Sequence, residues 1–195
     1  MSDPSTQHPE DQALVAAVLD GRAGAFERLV RQYQNLVWHV VYRMVRQTED
    51  TQDLCQEAFL RVHQYLHQYR SESALKSWVA QVAYSVAKRH LERKRIPIAE
   101  PAAEADGESP LDRVRDDFDL ERACIEQQSA GHLHEAIDCL PPLQRTILTL
   151  YHLDEMPIAE IAVITGLAEG TIKSHLFRSR KQLRDALNDS IGVAA

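Results

Sequence analysis

Apolar residues recur along the chain at the three-to-four-residue spacing of helix faces, and no segment alternates with the period of a strand. The pattern predicts a first helix from Asp11 through Leu14, Val15, Val18 and Leu19, stopping near Gly21. A longer helix begins around Ala25 with Phe26, Leu29, Val30, Tyr33, Leu36, Val37, Val40, Val41 and Met44, a stripe broad enough for the centre of a bundle. The pattern restarts at Thr48–Asp50, with Leu54, Ala58, Phe59 and Val62 on the inner face of a third helix. Asp50, Asp53 and Glu57 stand near its start, where carboxylates favour the positive end of the helix dipole. A polar, aromatic-flanked loop runs from Tyr65 to Ser73. A fourth helix is expected from about Ala74 to Lys94, with Ser73 as N-cap and Leu75, Trp78, Val79, Val82, Ala83 and Val86 inside.

The helical period is lost between Ile96 and about Asp117. Pro97, Pro101, Gly107 and Pro110 break any helix there, and Glu100, Glu104, Asp106, Glu108, Asp112, Asp116 and Asp117 make the stretch acidic, the composition of an extended, mobile linker. A helix is expected next from about Leu120 to Leu140. Pro141-Pro142 ends it and opens another that carries Leu143, Ile147, Leu148 and Leu150. The expected fold is all-α: a helical bundle at 11–95, a flexible acidic linker at 96–117 and a second helical domain at 118–188.

The stretch from Pro157 to Leu187 has the form of a helix-turn-helix. Ile158, Ile161, Ala162 and Thr165 mark the inner face of a short helix. Gly166 can take the positive φ that ends it. A longer helix follows with Ile172, Leu176, Leu183 and Leu187 at helical period, and Lys173, Ser174, His175, Arg178, Ser179, Arg180, Lys181 and Arg184 on its other positions. On this stretch alone, a solvated amphipathic pair fits as well as a DNA-binding one.

Composition narrows the classes. The 195 residues are 44% hydrophobic, enough for real cores. No run of about 18 apolar residues exists, so no direct membrane insertion is expected. The opening MSDPSTQHPEDQ lacks the basic and apolar regions of a signal peptide, and a cytoplasmic location is expected. Three cysteines fit reduced thiols rather than a disulfide framework. Cys124, His132, His134 and Cys139 are near enough in sequence to raise a metal or redox site, yet on one helix Cys124 and His132 are separated by about 12 Å of rise. Ordinary partly buried thiols are the expectation. With no glycine-rich phosphate loop, HExxH or CxxC, neither catalysis nor a cofactor is expected. The net charge of −7 is uneven: basic residues cluster at Lys88–Arg95 and Lys173–Arg184, acidic ones between Glu100 and Glu121. Such a chain can touch nucleic acid at two places and a protein elsewhere.

Several motifs fall in a definite order. The first domain carries Asp50-x-x-Asp53-Leu54-x-Gln56-Glu57-x-Phe59, then Tyr69-Arg70-Ser71-Glu72-Ser73, then Lys76-Ser77-Trp78-Val79. The second carries Leu140-Pro141 before an Arg145-bearing helix, then Glu160-Ile161-Ala162, Gly170-Thr171-Ile172-Lys173-Ser174 and Arg178-Ser179-Arg180. Each is weak alone. The ordered set, spread from Leu14 to Leu187, resembles the extracytoplasmic-function (ECF) sigma factors, small two-domain initiation factors of bacterial RNA polymerase.

The resemblance implies three partners: core RNA polymerase, promoter DNA and an anti-sigma factor. It implies that Asp50, Asp53, Gln56 and Glu57 dock on a coiled-coil clamp of the polymerase's largest subunit, acidic and amide groups suiting a basic helix. It implies that the loop of Tyr69, Arg70, Ser71, Glu72 and Ser73 captures a base flipped from the −10 element, with Lys76, Lys88 and Arg89 along the separated strand's phosphates. Ser85 stands where many family members have Asn, and Trp78 is expected in the core. In the second domain, Lys173, Ser174, Phe177 and Arg178 are expected at base edges of the −35 element, Arg178 suiting guanine and Phe177 a thymine methyl. Thr171, His175 and Arg180 are expected at phosphates. The linker resembles the family's inter-domain connector, which threads the polymerase cleft, and it fits a plain solvated tether equally well. Two other readings of the chain are a stand-alone helix-turn-helix regulator and a helical adaptor that binds only protein.

Overall fold

In a computed structural model, which describes residues 9–94, 96, 98 and 127–192, the elements in order are α1 (Pro9–Leu19), α2 (Ala25–Val45), α3 (Thr48–Tyr65), a 3-10 turn (Leu66–Gln68), α4 (Leu75–Arg93), α5 (Gln127–Cys139), α6 (Pro142–His152), α7 (Ile158–Thr165) and α8 (Glu169–Gly192). No strand occurs among the described residues, as the all-α reading expects. These residues gather into two compact units, one running to Ile96 and taking in Glu160–Gly166, the other holding the remaining described residues. The acidic stretch expected at 96–117 lies outside the described residues except for Ile96 and Ile98, as does the start of the helix expected from Leu120.

The first unit is built around α2, which packs on α4, α3 and α1. Its stripe of Leu29, Tyr33, Leu36, Val37, Val40, Val41 and Met44 is buried as the periodicity predicts, whereas Phe26 and Val30 lie at the stripe's margin, half-buried. Full burial of each large side chain contributes about 1.5–3 kcal/mol. Gly24, at φ 76°, precedes α2, and Arg46 ends it at φ 63°, its N–H bonded to the Tyr42 carbonyl. A non-glycine residue in that left-handed region costs roughly 1–2 kcal/mol, so the corner into α3 is held by its packing. Inside α3, the fully buried Thr51 hydroxyl donates to the Gln47 carbonyl at 2.6 Å.

Two expectations for α4 need correction. Ser73 is not its N-cap. That position belongs to Ala74, which makes no side-chain cap bond. The Leu75 N–H instead donates to Asp11 Oδ2 at 3.2 Å, a carboxylate contributed by α1. The Tyr33 hydroxyl of α2 donates to the other oxygen, Asp11 Oδ1, at 3.2 Å. One acid thus joins three helices, and it does so at a helix N-terminus, where negative charge is favoured. The buried face of α4 is also wider than its large residues suggest. Leu75, Val79, Ala83 and Val86 are inside, but so are Ser77, Ala80, Tyr84, Ala87 and Leu91, while Trp78 and Val82 are only half-buried. Packing against both α2 and α3 demands a broad face, and Ala80, Ala83 and Ala87 let the axes approach.

In the second unit, α5 and α6 both pack on α8. Leu133 and Ile137 of α5, Leu143, Ile147, Leu148 and Leu150 of α6, and Ile172, Leu176, Leu183 and Leu187 of α8 are buried. Pro142 sits in the first turn of α6, as expected, and the neighbouring Leu143 N–H is satisfied by the Ile98 carbonyl at 2.9 Å. Arg145 is 5% exposed and donates to the Asp138 carbonyl at 2.8 Å, a cation at the carbonyl end of α5. Gly166 adopts φ 72° just after α7 and its N–H bonds to the Ala162 carbonyl. The buried side of α7, most of which groups with the first unit, is Ile161, Ile164 and Thr165, rotated away from the expected Ile158 and Ala162, which are half-buried.

Replacing Asp11 with Ala removes the acceptor from both Leu75 and Tyr33 and should destabilise the protein by about 1–3 kcal/mol in a denaturant titration; an unchanged midpoint would show that the two donors find water instead. Burial pushes the Tyr84 phenol up to about 12 and also raises that of Tyr33, to which Asp11 adds. Unfolded tyrosine ionises near about 10. The stability from these protonated phenols is therefore complete below pH 10 and lost as the pH rises toward the folded values. The denaturation midpoint should fall from about pH 10 upward, with a shallower fall in Tyr84→Phe.

Candidate nucleic-acid and protein-docking surfaces

The loop between the 3-10 turn and α4 is closed by its own first residue. Tyr69 donates its N–H to the Leu66 carbonyl at 3.0 Å, and Leu66 is fully buried beneath it. The Tyr69 hydroxyl then reaches across the loop and donates to the Ser73 carbonyl at 2.6 Å. Between these anchors Ser71 takes φ 58°, which turns the chain back. Arg70 and Glu72 are exposed, and Ser71 and Ser73 are half-buried. Trp78, expected in the core, instead sets its half-buried ring beside Tyr69, with centroids 5.7 Å apart and planes tilted by 55°. The Tyr69 phenol is raised by burial first and by the Asp11 carboxylate second, against a hydrogen bond from Ser71. It remains a neutral donor at physiological pH.

Beyond the loop, α4 presents an exposed ridge. Lys88 and Arg89 follow Ser85 by three and four residues and share it. The Ser85 hydroxyl folds back to the Val82 carbonyl at 3.2 Å. Lys88 lies 4.0 Å from Glu92, a contact between exposed side chains that constrains neither. Lys76 is exposed but not on this ridge. It lies in the first turn of α4, directly after the loop.

The acidic residues of α3 separate into two groups. Asp50 accepts from Lys94 Nζ at 2.7 Å and lies 3.4 Å from His90 Nε2, tying the start of α3 to the end of α4. Its carboxyl is held below the usual range, chiefly by the Lys94 hydrogen bond, with burial opposing and the charges of Lys94 and His90 adding. Asp53 and Gln56 lie on the exposed face, and Glu57, half-buried, pairs with Arg61 at 2.6 Å. One turn beyond Gln56, Leu60 is 71% exposed. Its sequence signal is an apolar residue off the stripe of Leu54, Ala58 and Val62, and the motif reading passes over it.

On α8 the exposed ridge is Lys173, Phe177, Lys181 and Arg184, spaced by three or four residues. Phe177 is 39% exposed, in keeping with its place off the apolar stripe. Thr171 is exposed at the start of the helix. Ser174 and Arg178 flank the ridge, half-buried, the Ser174 hydroxyl bonding to the Gly170 carbonyl at 2.9 Å and Arg178 Nε lying 3.4 Å from the Ser174 carbonyl. Two expected contact residues sit elsewhere. His175 is only 7% exposed, on the buried side with Ser179, whose hydroxyl bonds to the His175 carbonyl at 2.8 Å and to Gln144 Oε1 at 3.3 Å. Arg180 turns to the end of α6, its Nε 3.3 Å from His152 Nε2 and its guanidinium 5.6 Å from the Tyr151 ring centroid. Lys181 and Arg184 belong to the basic side of the helix that the sequence marks, and the motifs single out neither.

Among the described residues, no group of three His, Cys, Asp or Glu side chains is placed to hold a metal ion. Cys124 and the His132 side chain lie outside them. Cys139 is exposed, not partly buried as expected, and His134 is exposed too. Cys55 is half-buried, and burial pushes its thiol up to about 11, away from a reactive thiolate.

Comparison with known proteins bears on both units. Residues 29–96 match the family model described as Sigma-70 region 2, and residues 131–183 match Sigma-70, region 4. The RNA polymerase sigma-H factor of Pseudomonas aeruginosa is 33% identical over 184 residues, covering 91% of this chain and 94% of that protein. The ECF RNA polymerase sigma-E factor of Escherichia coli is 31% identical over 176 residues, covering 89% and 92%. In fold, the chain is similar to CnrH, solved in complex with the cytosolic domain of CnrY, at a TM-score of 0.62 and 17% identity over 92% of this chain and 97% of that one. It is also similar to the sigma factor RpoE of Bartonella quintana, solved with the anti-sigma factor NepR, at a TM-score of 0.58 and 17% identity over 85% and 98%.

The closed loop makes a prediction of its own. Tyr69→Phe removes the bond to Ser73 without removing the ring beside Trp78. Hydrogen exchange should quicken at the amides of 70–74, while global stability changes by no more than about 1 kcal/mol. Unaltered exchange would place the loop's order in its packing alone.

Proposed function

The chain belongs to the sigma-70 family and is a promoter-recognising sigma factor of the ECF type, and we propose that the surfaces on α3, α4 and α8 divide the work of that activity. The observation that carries the division is the separation of charge by helix: Asp53 is exposed beside the neutral Gln56 on α3, whereas Lys173, Lys181 and Arg184 share a ridge with Phe177 on α8.

The exposed face of α3 docks on a basic helical surface of core RNA polymerase. Asp53 and Gln56 make the contact, Glu57 contributes through its pair with Arg61, and Asp50 positions the helix by holding it to Lys94. The loop of Tyr69–Ser73 receives a base from the −10 element. The Tyr69–Trp78 pair forms one wall, Arg70 and Glu72 offer hydrogen-bonding groups, and Lys76 guards the mouth. Lys88 and Arg89 then follow the phosphates of the opened strand, with Ser85 beside them.

In the region 118–188, α8 enters the major groove at the −35 element. Lys173 and Phe177 face base edges, with Ser174 and Arg178 at their flank. Phosphates fall to Thr171, Lys181 and Arg184, since His175 lies inside and Arg180 is engaged at the end of α6. Arg180 thus steadies the helix that reads. The chain performs no catalytic step, because nucleotide addition belongs to the polymerase. It works in the cytoplasm, where polymerase and promoter are found. No described helix is long and apolar enough to cross a membrane. An anti-sigma factor, of the kind solved with the Bartonella fold neighbour, holds the chain inactive.

Reconstituted transcription from a pool of genomic promoters tests the assignment. Defined transcripts should appear only when this chain is added to core enzyme; none from the pool would overturn it in favour of a stand-alone regulator or an adaptor. Lys173→Ala with Phe177→Ala should lower −35-dependent initiation by about tenfold or more and leave core binding intact. Asp53→Ala with Gln56→Ala should weaken core binding and leave the promoter preference of the remaining complex unchanged. Equal loss of core binding in both pairs would show that the residues on α8 are structural.

A further inference from the structure

We infer that Leu60 is the apolar anchor of the docking face of α3, and that this face is built for a partner helix bearing a basic side chain and an apolar one about two turns apart. The inference rests on the proposed docking of α3 on core polymerase. It adds the residue that supplies most of the binding energy and the pattern that the partner must match.

The argument begins with the side chain. Leu60 is 71% exposed on a well-formed helix whose apolar stripe faces the other way. A lone surface leucine is ordinary and by itself says nothing. Its neighbours make the difference. Asp53, Gln56, Leu60 and Gln64 follow one another by three or four residues and are all exposed, so they form a single line along the outer face of α3. Leu60 is the one apolar member of that line.

The polar members cannot provide much affinity on their own. An exposed carboxylate meeting a basic side chain contributes little, because water screens both charges. Such charges set register and speed encounter more than they hold the complex. Interfaces are held by a few side chains that become fully desolvated, ringed by polar ones that exclude water. Leu60 between Gln56 and Gln64 has that arrangement, and it has no core partner to lose on docking. Arg61, half-buried and drawn to Glu57, keeps its charge to one side of the line.

The line also fixes the partner's pattern. Asp53 and Leu60 are seven residues apart, a rise of about 10.5 Å. A helix packed along α3 therefore meets Asp53 with a Lys or Arg and Leu60 with an apolar side chain at the same separation.

The test measures equilibrium binding of the full chain to purified core polymerase across a series of salt concentrations. Leu60→Ala should weaken binding about tenfold or more at every salt concentration without changing the salt dependence, because it removes no charge. Asp53→Asn should weaken binding at low salt and flatten the salt dependence. Leu60→Met, which keeps an apolar side chain of similar volume, should bind as the parent does. Thermal melting of all variants should match the parent, since Leu60 supports nothing in the core. Weakened binding in Asp53→Asn beside parental binding in Leu60→Ala would overturn the anchor and leave the docking face standing. Parental binding in both would overturn the docking reading itself, and the anchor with it.

Discussion

A single carboxylate holds the first unit in register. Asp11 lies in the first turn of α1, and it receives the Tyr33 hydroxyl from α2 and the Leu75 N–H from α4. The first of these fixes α1 against the central helix. The second ends the loop of Tyr69–Ser73 at a defined point, because α4 cannot begin elsewhere without leaving that amide unsatisfied. The shape of the loop and the angle of the α4 ridge both follow. The charge of Asp11 is also felt at the phenols of Tyr33 and Tyr69, which it helps to keep protonated. Apolar burial supplies most of the stability, but it does not choose among slightly shifted packings; a directional bond between three elements does.

The same division between cohesion and direction appears at the functional surfaces. On α8 the buried side contains His175 and Ser179 as well as leucines, and the Ser179–Gln144 contact sets its rotation against α6. Arg180 adds a second fix through His152 and Tyr151. With the helix held from behind, Lys173 and Phe177 need only project. On α3 the equivalent fix is Asp50, bound to Lys94 at the far end of α4. In each case a residue of the family motif fixes the helix on which the proposed contacts lie.

The elements were legible where their cause is local. Ala25–Val45 could be read to its ends because its stripe is long and its borders are marked by Gly24 and by the restart at Thr48. Gly166 announced its own turn. The cap of α4 was not legible: Ser73 is a good capping residue in the right place, and the acid that displaces it comes from 64 positions earlier in the chain. His175, Arg180 and Asp50 escaped for the same reason. Their types suit nucleic acid or a basic partner, and only the fold reveals that Gln144, His152 and Lys94 lie close to them or to their neighbours. Leu60 was not legible, because a lone surface leucine is ordinary and only the exposed line it shares with Asp53, Gln56 and Gln64 sets it apart. The roles of the Tyr69 loop and of the α3 face came from resemblance; periodicity alone would have left both as polar surface.

On the role proposed for the loop, the bond from Tyr69 to Ser73 has a consequence for how fast and how selectively a base would be taken up. Fixing one residue of free backbone costs roughly 1–2 kcal/mol of entropy, so a slack loop of this length would surrender much of its binding energy to becoming ordered. Here the loop is already closed on itself by that bond, and the ordering is met during folding. A rigid receptacle also cannot mould itself to a wrong guest. Discrimination between bases then rests on fit at first contact, and a mismatched one departs without having remade the pocket around itself.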